Sequence, residues 1–231
     1  MPLPQRISAV FLDVGGPIYS DETFVEAVGR ALDDMLAERG REPADRQLVR
    51  AVYDRIRDRQ DGSFRTALAR EILGDTASRG ELHRRTEPYW RHPVGSLHPD
   101  VIPFLTAVHG RVRIGVLANQ EAAVVDALRR DGLGELIDIW GVSALVGHEK
   151  PSRELFDWCL AQAGTEPGQA VHVGNRLDND VRPAAALGLG TVWVLRGDAP
   201  DHPTAAQLAE PDLTVTSLAE LTPIVRERAR S

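Results

Sequence analysis

Residues 170–195 read AVHVGNRLDNDVRPAAALGLGTVWVL, and their pattern sets the fold. Ala170–Val173 is a short apolar run closed by Gly174. A polar loop follows, and Val181–Leu187 then places apolar residues at helical spacing. Beyond Gly188 and Gly190, Thr191–Leu195 is a second apolar, β-branched run. Apolar strands joined through a helix are the repeating unit of a buried parallel sheet. The same alternation extends upstream. Helices are predicted at Val101–Val108, Ala122–Leu128 and Glu154–Ala163, and strands at Val112–Leu117 and Ile137–Val142. Downstream come a strand at Leu213–Val215 and a closing helix. At the other end, Ile7–Asp13 (ISAVFLD) predicts a strand that finishes on an acid, followed by Gly15-Gly16-Pro17. The expectation is an α/β fold, a doubly wound parallel sheet.

Between the first strand and this alternation the character changes. Phe24, Val25, Val28, Leu32, Met35 and Leu36 recur at helical spacing, with Gly40 as a stop. Leu48–Ile56, Phe64–Leu73 and Glu81–Trp90 predict three more helices, and no strand-like run interrupts them. We expect residues 21–93 to form an all-helical insertion in a core made of 1–20 and 94–231.

Length and charge agree with that division. At 231 residues with 42% apolar residues, the chain can hold one large α/β core plus a smaller insertion. A net charge of −7 speaks against nucleic acid or an anionic membrane as partner. The single cysteine, Cys159, excludes an internal disulfide framework, and its helical spacing with Leu155, Phe156 and Leu160 marks a core residue. A polar, proline-bearing start and the lack of any long apolar run predict a cytoplasmic chain without a membrane span.

Composition also points to a site. Of the 27 basic residues 26 are arginine, and Lys150 is the one lysine; the asparagines are only Asn119, Asn175 and Asn179. Ligands of doubly wound sheets bind beyond the carboxyl ends of the strands. Asp13, Asn119 and the 175–180 loop all fall there, and Lys150 precedes the helix between the third and fourth strands. His172, inside a predicted strand, reads as a core residue. His-x-His and HExxH spacings, Gly-x-Ser-x-Gly and a complete dinucleotide glycine motif are absent from the sequence, so zinc, serine-nucleophile and nucleotide chemistry are unsupported, and no organic cofactor is expected.

Four segments, FLDVGGPIY, VLANQ, GHEKPSRELF and HVGNRLDNDVRPAAALGLGTVWV, resemble the four motifs of the haloacid dehalogenase superfamily of hydrolases with a helical cap inserted after the first strand. The resemblance implies Asp13 as nucleophile and Lys150 as stabiliser of developing charge. It implies Asn119, Ala118 and Gly16 as an anion cradle, and Asp13, Gly15, Asn175 and Asp180 as the place of Mg²⁺. Three parts depart from the pattern. Gly15 stands where an acid/base aspartate is expected, Ala118 where a serine or threonine is expected, and Asn175 where a metal-binding acid is expected. Fewer carboxylates then face the lysine, so the Mg²⁺ site should be weak or absent. A missing acid/base implies a substrate with a good leaving group, or a proton donor from the cap, whose distinctive segments are Gly62–Arg65, His83–Arg85 and Trp90-Arg91-His92. Tyr19, Ser20 and Arg65 are further candidates for contact with an anionic small-molecule substrate. Three functions follow: hydrolysis of a small phosphorylated or otherwise activated metabolite; metal-independent displacement at carbon, as in a dehalogenase; or non-catalytic binding of a ligand or partner.

Overall fold

The computed structural model describes residues 2–21, 23–90 and 92–229. Its elements, in chain order, are β1 (Ala9–Leu12), α1 (Phe24–Glu38), α2 (Arg46–Arg59), α3 (Phe64–Leu68), α4 (Ser78–Thr86), α5 (Val101–Val108), β2 (Arg113–Ala118), α6 (Val124–Arg130), β3 (Ile139–Val142), α7 (Ser143–Val146), α8 (Arg153–Ala163), β4 (Ala170–Gly174), α9 (Arg182–Ala186), β5 (Gly190–Val194), α10 (Ala205–Leu208), β6 (Leu213–Val215) and α11 (Leu218–Arg228). π-Type turns at Ala69–Leu73 and Leu177–Val181 follow α3 and precede α9.

All six strands are parallel, in the order β3-β2-β1-β4-β5-β6. This is the doubly wound α/β sheet that the sequence predicts. Strand side chains alternate between faces, and β1 divides its residues accordingly. Val10 and Leu12 join the cluster containing Phe104, Leu128 and Leu221 of α5, α6 and α11. Ala9 and Phe11 join Leu155, Phe156 and Cys159 of α8. With both faces covered, β1, β4 and β5 are buried throughout, which explains their continuous apolar runs.

The chain divides into two compact units, Met1–Ser20 with Val94–Ser231, and Asp21–Pro93. The second is all helical among its described residues and has its own core, including Val28, Leu32, Val52, Leu68 and Leu82. Asp45 caps α2 by accepting the Gln47 N–H at 2.8 Å, and Ser63 caps α3 through Thr66 N–H at 3.3 Å. α4 stops at Thr86 instead of reaching Trp90; Glu87 keeps helical dihedrals, but Pro88 has no N–H to continue the ladder of hydrogen bonds. Among the described residues, no helix is long and apolar enough to cross a membrane.

Candidate active site

β1 pairs with β2 on one side and β4 on the other, so the winding of the sheet reverses there and leaves a crevice at the strand ends. Asp13 is the first residue beyond β1, and its N–H continues the ladder to the Val173 carbonyl at 2.9 Å. The chain then turns sharply. Ile18 and Tyr19 N–H both donate to the Val14 carbonyl, and Gly16 N–H donates to the Tyr19 carbonyl at 2.8 Å. Asn119 follows β2, Asn175 follows β4, and Lys150 arrives on the loop between α7 and α8.

Three charged side chains meet in this crevice. Lys150 Nζ lies 3.0 Å from Asp13 Oδ1 and 2.6 Å from Asp180 Oδ1, with its side chain only 2% exposed. Asp13 Oδ1 also accepts the Val14 N–H at 2.8 Å. Its second oxygen, Oδ2, takes no hydrogen bond from a described residue. Both oxygens of Asp180 have partners: Oδ1 faces Lys150 and His172 Nε2, the latter at 3.1 Å, and Oδ2 accepts the Arg176 N–H at 2.9 Å. Gly174 makes this approach feasible, since a Cβ there would lie 2.2 Å from Asp180 Cγ.

The environment splits the two carboxyls. Burial raises the pKa of Asp13, the pull of Lys150 recovers only part of that, and Asp180 adds to the rise. For Asp180 burial acts in the same direction, but Lys150 and His172 outweigh it and hold the carboxyl well below its usual range. Burial also opposes the Lys150 charge, yet Asp13 and Asp180 overcome it and keep the ammonium protonated above its ordinary range. Cys159 is buried under the sheet, where burial pushes its thiol up to about 12.

Several residues expected at an anion cradle have other partners. Asn119 clamps the Lys150 backbone, donating from Nδ2 to its carbonyl at 2.8 Å and accepting its N–H at 2.6 Å. It holds the lysine loop. Gly16 has its N–H on Tyr19, and its φ of 84° and tight contact with Asn175 exclude a side chain. Tyr19 is fully buried, and its hydroxyl donates to Asp131 Oδ2 at 2.7 Å, so it is a core residue. Ala118 is buried at the end of β2 and offers only a methyl group. Arg65 belongs to the helical unit, where its guanidinium lies 5.0 Å from the Phe24 ring centroid. Arg91 lies outside the described residues. His172 was not expected here; its place in an all-buried strand masks it, and only the eight-residue separation from Asp180 hints at a contact.

The donor set does not fit a tightly held Mg²⁺. That ion demands octahedral oxygen ligands, usually including carboxylates. Asp180 is occupied by Lys150, His172 and the Arg176 N–H, an arrangement that suits support of the site behind Asp13 better than direct ligation. Asp178 is bound twice by the Arg176 guanidinium, at 2.9 and 2.7 Å, and Asp198 lies 3.6 Å from the same group. Asn175 turns its Nδ2 to the Arg196 carbonyl at 3.2 Å and can offer only a neutral amide oxygen. Gly15 contributes no side chain. Of the carboxylate oxygens of Asp13, Asp178 and Asp180, Asp13 Oδ2 is the one that accepts no hydrogen bond from a described residue.

Comparison with known proteins agrees with this architecture. The HAD-hydrolase-like family model matches residues 148–221, which include Lys150 and Asp180. A glyceraldehyde 3-phosphate phosphatase from Methanopyrus kandleri is 27% identical, with 97% of this chain and 99% of that protein covered. Among solved structures, a 2-haloacid dehalogenase from Pseudomonas syringae pv. Tomato is 25% identical with a TM-score of 0.59, covering 96% of this chain and 99% of that one. A HAD phosphatase from Thermococcus onnurineus shares the fold at a TM-score of 0.65 and 22% identity, over 95% of this chain and 98% of that one. The chain is thus similar to hydrolases of the haloacid dehalogenase superfamily.

Proposed function

We propose that the chain is a phosphatase-like cytoplasmic enzyme in which Asp13 attacks a small, anionic, phosphorylated or otherwise activated metabolite. The observation that carries this reading is the asymmetry of the Asp13 carboxylate. Lys150 and the Val14 N–H fix Oδ1, while Oδ2 accepts no hydrogen bond from a described residue and is the attacking atom. Attack gives a covalent aspartyl intermediate that water later opens. Lys150, buried and held between two carboxylates, supplies a compact positive charge beside the transferred group. Asn119 positions that lysine through its backbone, and Asp180 positions it through its ammonium group. The phosphatase from Methanopyrus kandleri, similar over nearly its whole length, supports phosphoryl transfer as the reaction class.

A second reading, metal-independent displacement at carbon, is favoured by the poor donor set for Mg²⁺ and by the likeness to a 2-haloacid dehalogenase. A panel of phosphate esters, acyl phosphates and 2-haloacids, each assayed with and without Mg²⁺, separates the two. We expect phosphate release, little stimulation by the metal, and loss of activity in Asp13→Asn. Chloride release without phosphate release would favour the second reading. Turnover unaffected by Asp13→Asn would remove Asp13 from the mechanism. Inactivity of the wild-type chain on the whole panel would favour a binding role.

A further inference from the structure

His172 is the one polar side chain in β4, a strand that is buried along its whole length. Its neighbours Val171 and Val173 join the cluster of α5, α6 and α11, so His172 lies on the opposite face of the sheet, beneath α8. There the Phe156 ring of α8 meets it edge-on at 5.4 Å. Its two nitrogens are used unequally. Nε2 lies 3.1 Å from Asp180 Oδ1, while Nδ1 is buried without a hydrogen-bond partner among the described residues. Asp180 is held ionised and accepts, so Nε2 carries the hydrogen. A buried strand position under a helix suits an aliphatic side chain, and an imidazole with an idle nitrogen carries a desolvation cost there. Packing does not account for a histidine at this position. The bond to Asp180 does.

We propose that His172 is a positioning residue: it anchors Asp180 from under the sheet, so that Lys150 stays shared between Asp180 and Asp13. The inference rests on the reading of the Asp13–Lys150 crevice as the active site. Asp180 arrives on the π-type turn Leu177–Val181, where the Arg176 N–H holds its Oδ2. Its Oδ1 is divided between two donors of different character. The imidazole is fixed on a buried strand, whereas the ammonium rides on a flexible four-carbon stem. With the imidazole in place, Lys150 Nζ sits 2.6 Å from Asp180 and still reaches Asp13 at 3.0 Å. Without it, Oδ1 depends on the ammonium. The two carboxylates then compete unequally, because the Asp180 side chain is 1% exposed and that of Asp13 15%. Water can solvate Asp13 in part, but Asp180 has no such recourse, and an uncompensated buried charge is costly. The ammonium is therefore drawn toward Asp180 and away from the reacting carboxylate.

The effect falls on the reaction more than on binding. A fixed charge contributes most where charge develops in the transition state, and its value depends on where it stands. Displacement of a catalytic group by about 1 Å can cost about 10²-fold in rate. His172 acts on this step only through Asp180 and Lys150, so its loss lowers kcat and leaves KM nearly unchanged.

The test compares His172→Gln with His172→Met in the full chain. Both side chains are unbranched and similar in length, but glutamine keeps an N–H near the place of Nε2 and methionine has none. Packing beside Phe156 alone favours methionine, whereas the anchor favours glutamine. Lys150 is the one lysine, so isotope-labelled lysine gives a single ε-methylene NMR signal that reports on the ammonium without any substrate. We expect His172→Met to move that signal and His172→Gln to return it most of the way. On the panel substrate that the wild type turns over fastest, His172→Met should lower kcat about 10- to 100-fold with KM within about twofold. His172→Gln should recover most of that loss, although its melting temperature is no higher than that of His172→Met. A Lys150 signal and kcat in His172→Met that match the wild type, or match those of His172→Gln, would overturn the inference and leave the active-site reading standing. A wild-type chain inactive on the whole panel would overturn the active-site reading. A Lys150 signal moved by His172→Met and not by His172→Gln would even then support the anchor.

Discussion

Lys150 is the one lysine in a chain with 26 arginines, and its side chain is all but inaccessible. An ammonium is a compact charge with three donors, whereas guanidinium is a broad planar fork. Two of those donors already meet carboxylates, one on each side. Breaking a buried ion pair by removing one partner typically costs about 3–5 kcal/mol, because an uncompensated charge is left behind. Lys150→Ala leaves Asp13 and Asp180 without their shared cation, so we expect a loss of that order in urea denaturation, together with loss of activity. A change below about 1 kcal/mol would mean that the carboxylates find other partners. Asp13 and Lys150 could be read from the sequence because they stand at strand ends and because one of them is rare. The engagement of Asn119, Gly16 and Tyr19 could not, since each depends on a partner at the far end of a turn or in another loop.

At the level of elements, the sheet was legible because burial on both faces leaves continuous apolar runs, and β6 begins and ends where the sequence places it. Helical pieces of four residues, α7 and α10, are too short to show a period. The π-type turn at Leu177–Val181 escapes the same reading, because its repeat is not 3.6 residues. That turn delivers Asp180 back over the end of β4. The closeness is set by Gly174, where an added Cβ would sit 2.2 Å from Asp180 Cγ and 2.5 Å from Oδ2. Backbone and a fully bonded carboxylate cannot yield cheaply, and overpacking of this kind costs about 1–3 kcal/mol. Gly174→Ala should lower the melting temperature and displace Asp180 from Lys150, with activity falling in parallel. A variant with the wild-type melting temperature and turnover would show that the loop has room the structure does not reveal.

On the scale of the whole molecule, Asp100 ties together segments far apart in sequence. Its carboxylate accepts two hydrogen bonds from Arg196, at 3.1 and 3.0 Å, one from the Ser217 hydroxyl at 2.6 Å and one from the Leu218 N–H at 2.8 Å. It thereby joins the start of α5, the chain just beyond β5 and the first turn of α11. Burial alone would raise its pKa, but Arg196, Ser217 and Leu218 N–H together lower it to about 2. A carboxyl depressed in the folded state stabilises it above the unfolded pKa of about 3.9, and that contribution is lost as pH falls toward the folded value. The window is therefore about pH 4 to pH 2. Partial solvent screening reduces the contribution to on the order of 1 kcal/mol. Asp100→Asn removes the titration while keeping the size of the side chain, and groups that titrate equally in both proteins cancel in the comparison. Unfolding free energies measured from pH 6 to pH 2 should differ at neutral pH and converge toward the acid end. Curves that stay parallel across that range would show that the Asp100 junction does not depend on its charge.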